Sequence, residues 1–330
     1  MNLYIDKDNL ISIIKQNKHP LYPHVINTIK RQLKVFFNFS KKSIESDEFI
    51  LHFFNNLTEG YGDGKNPIFL EDSVFPPRPV LSECIETFNA ETLSGVYLIN
   101  DSNVDRFKEL GAVLVSKVGD EMETFNSLFL KRNDYDFTKS LKIGGREFKK
   151  WGDLKKYNLP LTDIVFIDRF ILNDKSNLES NLISYLKVLC EHSNSCVNIV
   201  FYVEKKKVGT NLLEVMNSIK SAIASVTSKS PNVTIIEYTA QRDMDSLEEH
   251  DRTIFTNYLR IYSGDTFNYW YSTSLKKTKG RNLIYFSLAK KEEHDLVRDL
   301  ISDLQENINF LKANKTGIHG DRKSNYLNFN

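Results

Sequence analysis

The sequence has few cysteines and no long hydrophobic run, and each shortage excludes a class of protein. Its three cysteines, Cys84, Cys190 and Cys196, are an odd number without CxxC spacing, which disfavours a disulfide framework and a cysteine-based zinc site. No apolar segment is long enough to span a bilayer, and the N-terminal segment mixes charges with apolar residues, unlike a secretory signal. We therefore expect a cytoplasmic protein that needs no metal or other cofactor.

No charge of one sign dominates either, because 44 basic residues nearly balance 43 acidic ones. The overall charge therefore does not indicate nucleic acid or an anionic membrane as a partner, and only local clusters carry such information. Apolar residues make up 41% of the chain and charged residues 26%, which is typical of a folded protein. A length of 330 residues favours two domains.

The first predicted region, residues 1–150, is rich in helices. Helices are predicted at residues 8–14 with Asp8 as the cap, at residues 23–37, and after Ser46. An irregular connection at 60–79 and a strand, helix and strand at 95–100, 104–110 and 112–118 follow. The polar segment 131–157 is the best candidate for the domain boundary. No catalytic constellation stands out in this region, although it could still carry the specific activity.

The second region, residues 151–314, alternates strands and helices. Strands are predicted at 163–172, 197–203 and 233–239, with helices at 177–192 and 211–227 between them. This order indicates crossover units in a largely parallel sheet. A strand or strand pair near 253–263, a strand at 282–289 and a helix at 292–314 follow, and the polar tail 315–330 is expected to be frayed.

A set of spaced polar residues follows the third of these strands. The set begins with His250, followed two residues later by the cation Arg252 and five residues after that by the polar Asn257. It continues with Gly264, its acidic neighbour Asp265, and Asn268. This pattern resembles the phospholipase D signature, in which the corresponding residues are His, Lys, Asp, Gly, Ser and Asn. The resemblance implies a phospholipase D-like βαβαβ sandwich in the C-terminal half, after a helix-rich α/β N-terminal region.

The resemblance also implies catalytic positions, namely His250, Arg252, Asn257 and Asn268. In the family's chemistry the histidine attacks phosphorus, the cation neutralises phosphate, and the carboxylate orients the imidazole. Arginine still binds phosphate. Asn257 can orient a ring but cannot stabilise an imidazolium, and the same change in a serine-protease triad costs on the order of 10⁴ in rate. Asp265 brings a negative charge to the phosphate site unless it replaces the missing carboxylate.

Further basic residues favour phosphate binding. Lys276, Lys277, Lys279 and Arg281 form a basic turn beside the aromatic run of residues 269–271, a combination suited to a nucleic-acid backbone and bases. The lysines of residues 205–207 follow a strand and fall on the same predicted sheet edge as His250. Solvated loops are the alternative account of both clusters. Asp168 and Arg169, at another strand end, either line this cleft or form an ion pair.

Two functions are consistent with these residues. One is a degenerate module that binds a phosphodiester, as nucleic acid or nucleotide; analogy with phospholipase D-like domains of bacterial antiviral defence systems places it in such a system with a protein partner. The other is an active metal-independent phosphodiesterase or nuclease with His250 as nucleophile. The family's site is built from two motifs and this chain has one, so the resemblance implies a homodimer. No membrane partner is expected.

Overall fold

A computed structural model gives the fold of this mixed α/β protein. The structure describes residues 1–37, 41–58, 95–99, 116, 118–126, 137–175, 178–239, 252–271 and 281–330. The chain divides into a first unit, residues 1–137 with 288–294, and a second unit, residues 138–287 with 295–330. The passage into the second unit at Thr138 falls inside the predicted boundary segment. None of the helices in the described ranges is long and apolar enough to cross a membrane.

The first unit contains a small parallel sheet with strand order β2-β1-β3. Its strands are β1 (Asn2–Ile5), β2 (Lys34–Phe37) and β3 (Gly95–Leu98). The sequence did not predict β1, and the prediction of a helix through residue 37 was wrong. The segment KVFF is rich in β-branched and aromatic residues and pairs in register with β1, which overrides the helical pattern before it.

Helices of the first unit follow and flank these strands. They are α1 (Lys7–Lys15), α2 (Tyr22–Arg31), α3 (Lys41–Glu45), α4 (Glu48–Thr58) and α5 (Glu121–Asn126). The cap of α1 is Asp6 and not the predicted Asp8, because the Asp6 carboxylate accepts a hydrogen bond from the Asn9 N–H at 2.8 Å. The elements predicted at 60–79 and 104–110 lie outside the described residues, as does most of the strand predicted at 112–118.

The second unit is built on a large mixed sheet with strand order β11-β7-β6-β5-β8-β9-β10-β4. Its strands are β4 (Thr138–Lys142), β5 (Asp163–Ile167), β6 (Asn198–Glu204), β7 (Asn232–Tyr238), β8 (Arg252–Thr256), β9 (Leu259–Ser263), β10 (Asn282–Ser287) and β11 (Ile318–Gly320). Strands β5, β6 and β7 are parallel, and the other pairings are antiparallel. The crossover prediction is therefore right for these three strands, whereas the expectation of a largely parallel sheet is wrong.

Helical segments connect the strands of the second unit. A 3₁₀ helix (Trp151–Tyr157) precedes β5, and a π-helix (Leu178–Ile183) leads directly into α6 (Ser184–Cys190) between β5 and β6. Helix α7 (Leu212–Thr227) connects β6 to β7. The Asn211 side chain caps α7 by accepting hydrogen bonds from the N–H groups of Leu213 and Glu214. Helix α8 (Lys291–Ala313) precedes β11.

The tail after α8 is ordered, which corrects the prediction that it is frayed. Strand β11 pairs with β7, and the following residues cover the fully buried carboxylate of Asp163 at the start of β5. This carboxylate accepts hydrogen bonds from the Ser324 hydroxyl at 3.0 Å and from the Asn325 backbone and side-chain amides at 2.9 and 2.6 Å. A buried carboxylate requires such donors, so Asp163 fixes the tail across the amino ends of the parallel strands.

Candidate functional site

The ends of several strands of the second unit meet at one edge of the sheet. The carboxyl ends of the parallel strands β5, β6 and β7 define this edge, which we call the carboxyl edge. Strand β8 runs antiparallel to β5 and therefore begins there at Arg252, while β9 returns and ends there, with Ser263 opposite Arg252. Open α/β sheets bind ligands outside the carboxyl ends of their parallel strands.

Asp168 joins two loops at this edge. It directly follows β5 and is 1% exposed. One carboxylate oxygen accepts the Phe170 N–H at 2.9 Å, and the other accepts the Thr266 hydroxyl at 2.7 Å and the Phe267 N–H at 3.1 Å. Burial raises the pKa of Asp168, while these hydrogen bonds and the charge of Arg252 oppose that shift. Asp168 therefore acts as a structural link between the β5 loop and the loop after β9.

Three cationic side chains surround the ring of Phe170. The guanidinium carbons of Arg169 and Arg252 lie 5.8 and 5.6 Å from the ring centroid, and the Lys207 ammonium lies 5.4 Å from it. The three cations come from different segments, namely the β5 loop, the end of β6 and the start of β8. The negative face of the aromatic ring attracts each cation and holds the three positive charges together.

The loop after β6 is held against the loop after β5 by close backbone contacts. The Gly209 N–H and the Thr210 hydroxyl both donate to the Leu172 carbonyl oxygen, at 3.1 and 3.0 Å. A Cβ atom on Gly209 would lie 2.1 Å from the Asn173 carbonyl oxygen, so a larger residue does not fit. This contact positions the loop that carries Lys207.

The described charges at this edge do not cancel. They include the cations Arg169, Lys205, Lys206, Lys207, Arg252 and Arg281 and the carboxyl groups of Asp168, Glu204, Glu237 and Asp265. Glu204 is buried and accepts from Arg169, with its Oε2 atom 2.9 Å from Nε and 2.7 Å from a terminal guanidinium nitrogen. Among these described residues the excess is positive, and the exposed lysines Lys205 and Lys206 extend it to the surface. Such a surface attracts anions.

The predicted catalytic residues do not all lie at this edge. Arg252 and the half-buried Asn268 do, since Asn268 is two residues beyond the Thr266 that bonds Asp168. Asn257 follows the other end of β8, about 16 Å from Arg252 along an extended strand. Its side chain is fully buried and accepts the Thr162 N–H at 3.4 Å. The structure thus places Asn257 at the opposite, amino edge, while His250 lies outside the described residues.

The predicted ion pair of Asp168 with Arg169 is also corrected, since Arg169 pairs with Glu204. A further ion pair joins Asp265 and Arg281, with their nearest charged atoms 2.9 Å apart. Arg281 also donates to the Gly264 carbonyl oxygen at 2.9 Å. The negative charge of Asp265 is therefore compensated within the loop. Arg281, which was predicted to bind phosphate, thus contacts Asp265 and Gly264. The other three residues of the predicted basic turn, Lys276, Lys277 and Lys279, lie outside the described residues.

The predicted aromatic stacking surface is mostly core. Tyr269 is fully buried and stacks on Trp151, and Trp270 is 6% exposed, so neither presents a ring face to solvent. Tyr271 differs, with half of its surface exposed. The sequence could not predict which of these three aromatic residues is exposed, because an irregular segment has no fixed side-chain periodicity.

Sequence reasoning missed Phe170 and the buried Glu204, and gave Lys207 no specific role. Phe170 follows Asp168 and Arg169 in the segment DRF, but its contact with residues far along the chain depends on tertiary structure. The available signal was the coincidence of charged residues at the ends of two adjacent parallel strands, since Glu204 ends β6 and three lysines follow it, as Asp168 and Arg169 follow β5. That coincidence predicts a shared edge.

No protein-family model and no curated protein matches the sequence. Within the described parts of the chain, the structure places no group of three or more His, Cys, Asp or Glu residues that could hold a metal ion. The guanidinium and ammonium groups of the carboxyl edge support anion binding. Both oxygens of the Asp168 carboxylate are engaged by internal donors, which suits a structural role better than proton transfer.

Proposed function

We propose that the carboxyl edge of the second unit binds a phosphodiester-bearing ligand, a nucleic acid or a nucleotide, in a degenerate phospholipase D-like module. The cluster of Arg169, Lys207 and Arg252 around the Phe170 ring carries this proposal. Guanidinium groups bind phosphate well, because their fork of donors matches its oxygens. The position of the cluster outside parallel strand ends supports the same conclusion.

Arg252 is the residue to change first, because the spacing pattern also assigns it to the phosphate. Replacing it with alanine removes a charge-assisted contact of about 1.5–3 kcal/mol, so affinity for a labelled oligonucleotide should fall roughly 10- to 100-fold. The slope of log affinity against log salt should shrink by about 0.7 to 0.9. Arg252→Lys should recover part of the affinity, since it keeps the charge and loses the fork.

Arg298→Ala is the matched control, because Arg298 is an exposed arginine on α8. It should leave both affinity and salt slope unchanged. Wild-type binding that is insensitive to salt, or that Arg252→Ala does not weaken, would contradict the proposed function.

Turnover is the second candidate function, and the His250 that precedes Arg252 by two residues favours it. In that case the chain is a metal-independent phosphodiesterase with His250 as nucleophile. Cleavage of labelled DNA or RNA in EDTA that is lost in His250→Ala would establish it. If the wild type binds these ligands without cleaving them, the chain is a phosphate-binding module. We propose that such a module acts together with a partner protein or a second copy of the chain.

A further inference from the structure

A groove with a volume of about 470 Å³ lies elsewhere in the second unit. Its walls come from the start of the 3₁₀ helix, from the π-helix with α6, and from the segment after β9. The lining residues that carry charge or an aromatic ring are Lys149, Lys150, Trp151, Glu179, Lys187, Trp270 and Tyr271. Pockets that bind small ligands or single nucleotides have volumes of about this size.

Hydrogen bonds of buried groups hold two walls of the groove together. The fully buried Asn181 side chain accepts the Trp270 N–H at 2.9 Å and donates to the Trp270 carbonyl oxygen at 2.8 Å. The Trp151 indole N–H donates to the Ser180 carbonyl oxygen at 3.1 Å. Asn181 and Ser180 belong to the π-helix, a widened turn that is frequent at functional sites. The groove is therefore a fixed feature of the fold.

Positive charge prevails along the groove. Lys149 and Lys150 are exposed, and their backbone N–H groups both donate to the Asp153 carboxylate, at 2.8 and 3.1 Å, which fixes this part of the rim. Lys187 lies on the other wall, with its ammonium 3.6 Å from Glu179. The lining thus has three lysines and one glutamate, an excess of two positive charges that suits an anionic occupant.

Tyr271 adds an aromatic surface to this positive groove. It is half-exposed, whereas the two residues before it are buried in the core. The hydrogen bonds of Asn181 to Trp270 fix the backbone directly before Tyr271. A base that stacks on an aromatic ring contributes about 1–3 kcal/mol, whatever its sequence.

We infer that this groove accommodates one nucleotide of a single-stranded nucleic acid, with its base on Tyr271 and its flanking phosphates on Lys149, Lys150 and Lys187. A single strand fits better than a duplex, because only an unpaired base offers its face for stacking. The inference rests on the proposed function and narrows its ligand, because it adds a base contact that a free phosphate cannot make.

The two tryptophans of the chain provide a local probe of the groove. Trp151 and Trp270 both line it, so the whole tryptophan emission of the protein comes from its walls. Titration of the full chain with an oligothymidylate of about ten nucleotides should change this emission, and a duplex of equal length should change it less. Fluorescence polarisation of a labelled strand gives the affinity independently.

Variants of the rim test the assigned contacts. Tyr271→Ala should weaken single-strand binding about 5- to 100-fold, while Tyr271→Phe keeps the ring and should bind as the wild type does. Lys150→Ala should weaken binding and reduce the salt slope by about 0.7, since one phosphate contact is lost. Lys229→Ala, which removes an exposed lysine from the turn between α7 and β7, is the matched control and should change nothing.

The outcomes separate this inference from the proposed function. If Arg252→Ala weakens binding while Tyr271→Ala and the tryptophan emission show no effect, the groove inference is wrong and the function of the carboxyl edge stands. If Tyr271→Ala weakens binding and Arg252→Ala does not, the carboxyl-edge function is wrong and the groove is the binding site. Absence of binding to any single strand would overturn both.

Discussion

Asp163 should make the fold less stable as the pH rises through about 6. The carboxyl group is fully buried, and burial raises its pKa from 3.8 to about 6, although four hydrogen-bond donors from Asn198, Ser324 and Asn325 oppose the shift. The native state therefore holds this proton more tightly than the unfolded chain does. Stability from this group is greatest when both states are protonated, and it declines between pH 3.8 and about 6.

The size of the effect follows from the two pKa values. At 1.36 kcal/mol for each pH unit between 3.8 and about 6, the folded state loses about 3 kcal/mol in all. About 2 kcal/mol of this falls between roughly pH 4.5 and pH 7.5.

Urea unfolding of the wild type and of Asp163→Asn across this range isolates the group, because all other titrating groups are shared. The wild type should lose stability relative to the variant as the pH rises. If the stability difference between wild type and Asp163→Asn stays constant from acid to neutral pH, the buried carboxyl does not titrate as the structure implies.

Three further substitutions test the supports of the two sites. Asn181→Ala leaves the backbone amide and carbonyl of Trp270 without partners, so it should cost about 2–4 kcal/mol in urea unfolding and shift the tryptophan emission; an unchanged midpoint would contradict this. Gly209→Ala should lower the thermal midpoint and weaken anion binding, because its Cβ would collide with the Asn173 carbonyl; a neutral result would mean that the loop adapts. Asn257→Ala should destabilise the fold without changing phosphate affinity in the remaining folded protein, since Asn257 lies at the amino edge; a change in salt slope would refute this placement.

Strands and helices of the second unit were predictable where the pattern of apolar residues and the residues at the element's ends favour the same structure. The apolar segment 163–172 predicted β5, although the strand ends at Ile167, and the periodic segment 211–227 predicted α7, which begins at Leu212 with Asn211 as its cap. Strands β1 and β11 were not predictable, because strands of three or four residues have too few positions to establish an alternation. Pairing partners distant in the chain decide their conformation, as β7 does for β11.

The sequence could predict where the candidate site lies in the sheet, but not which side chains contact each other there. Alternating strands and helices place Asp168, Glu204 and Arg252 at strand ends, so their approach follows from topology. Topology does not predict which of these residues form ion pairs. Arg169 pairs with Glu204 on the neighbouring strand and not with Asp168, the residue before it in sequence. The reason is that Asp168 is buried under the loop after β9, where Thr266 and Phe267 supply its donors.

The place of Asn257 also changes how the altered motif should be weighed. From sequence, an asparagine in the position of a carboxylate argued against catalysis, since it could not stabilise an imidazolium. In the structure this residue is separated from Arg252 by the whole length of β8 and bonds the backbone before β5. The asparagine at this position therefore serves the packing of the amino edge, and it gives no information about phosphate chemistry. Under the proposed function, catalysis would instead take place at the carboxyl edge, where Arg281 already compensates the charge of Asp265. The decisive comparison is then between His250→Ala and Arg252→Ala, because loss of cleavage in the first with binding retained would separate a nucleophile from a phosphate clamp.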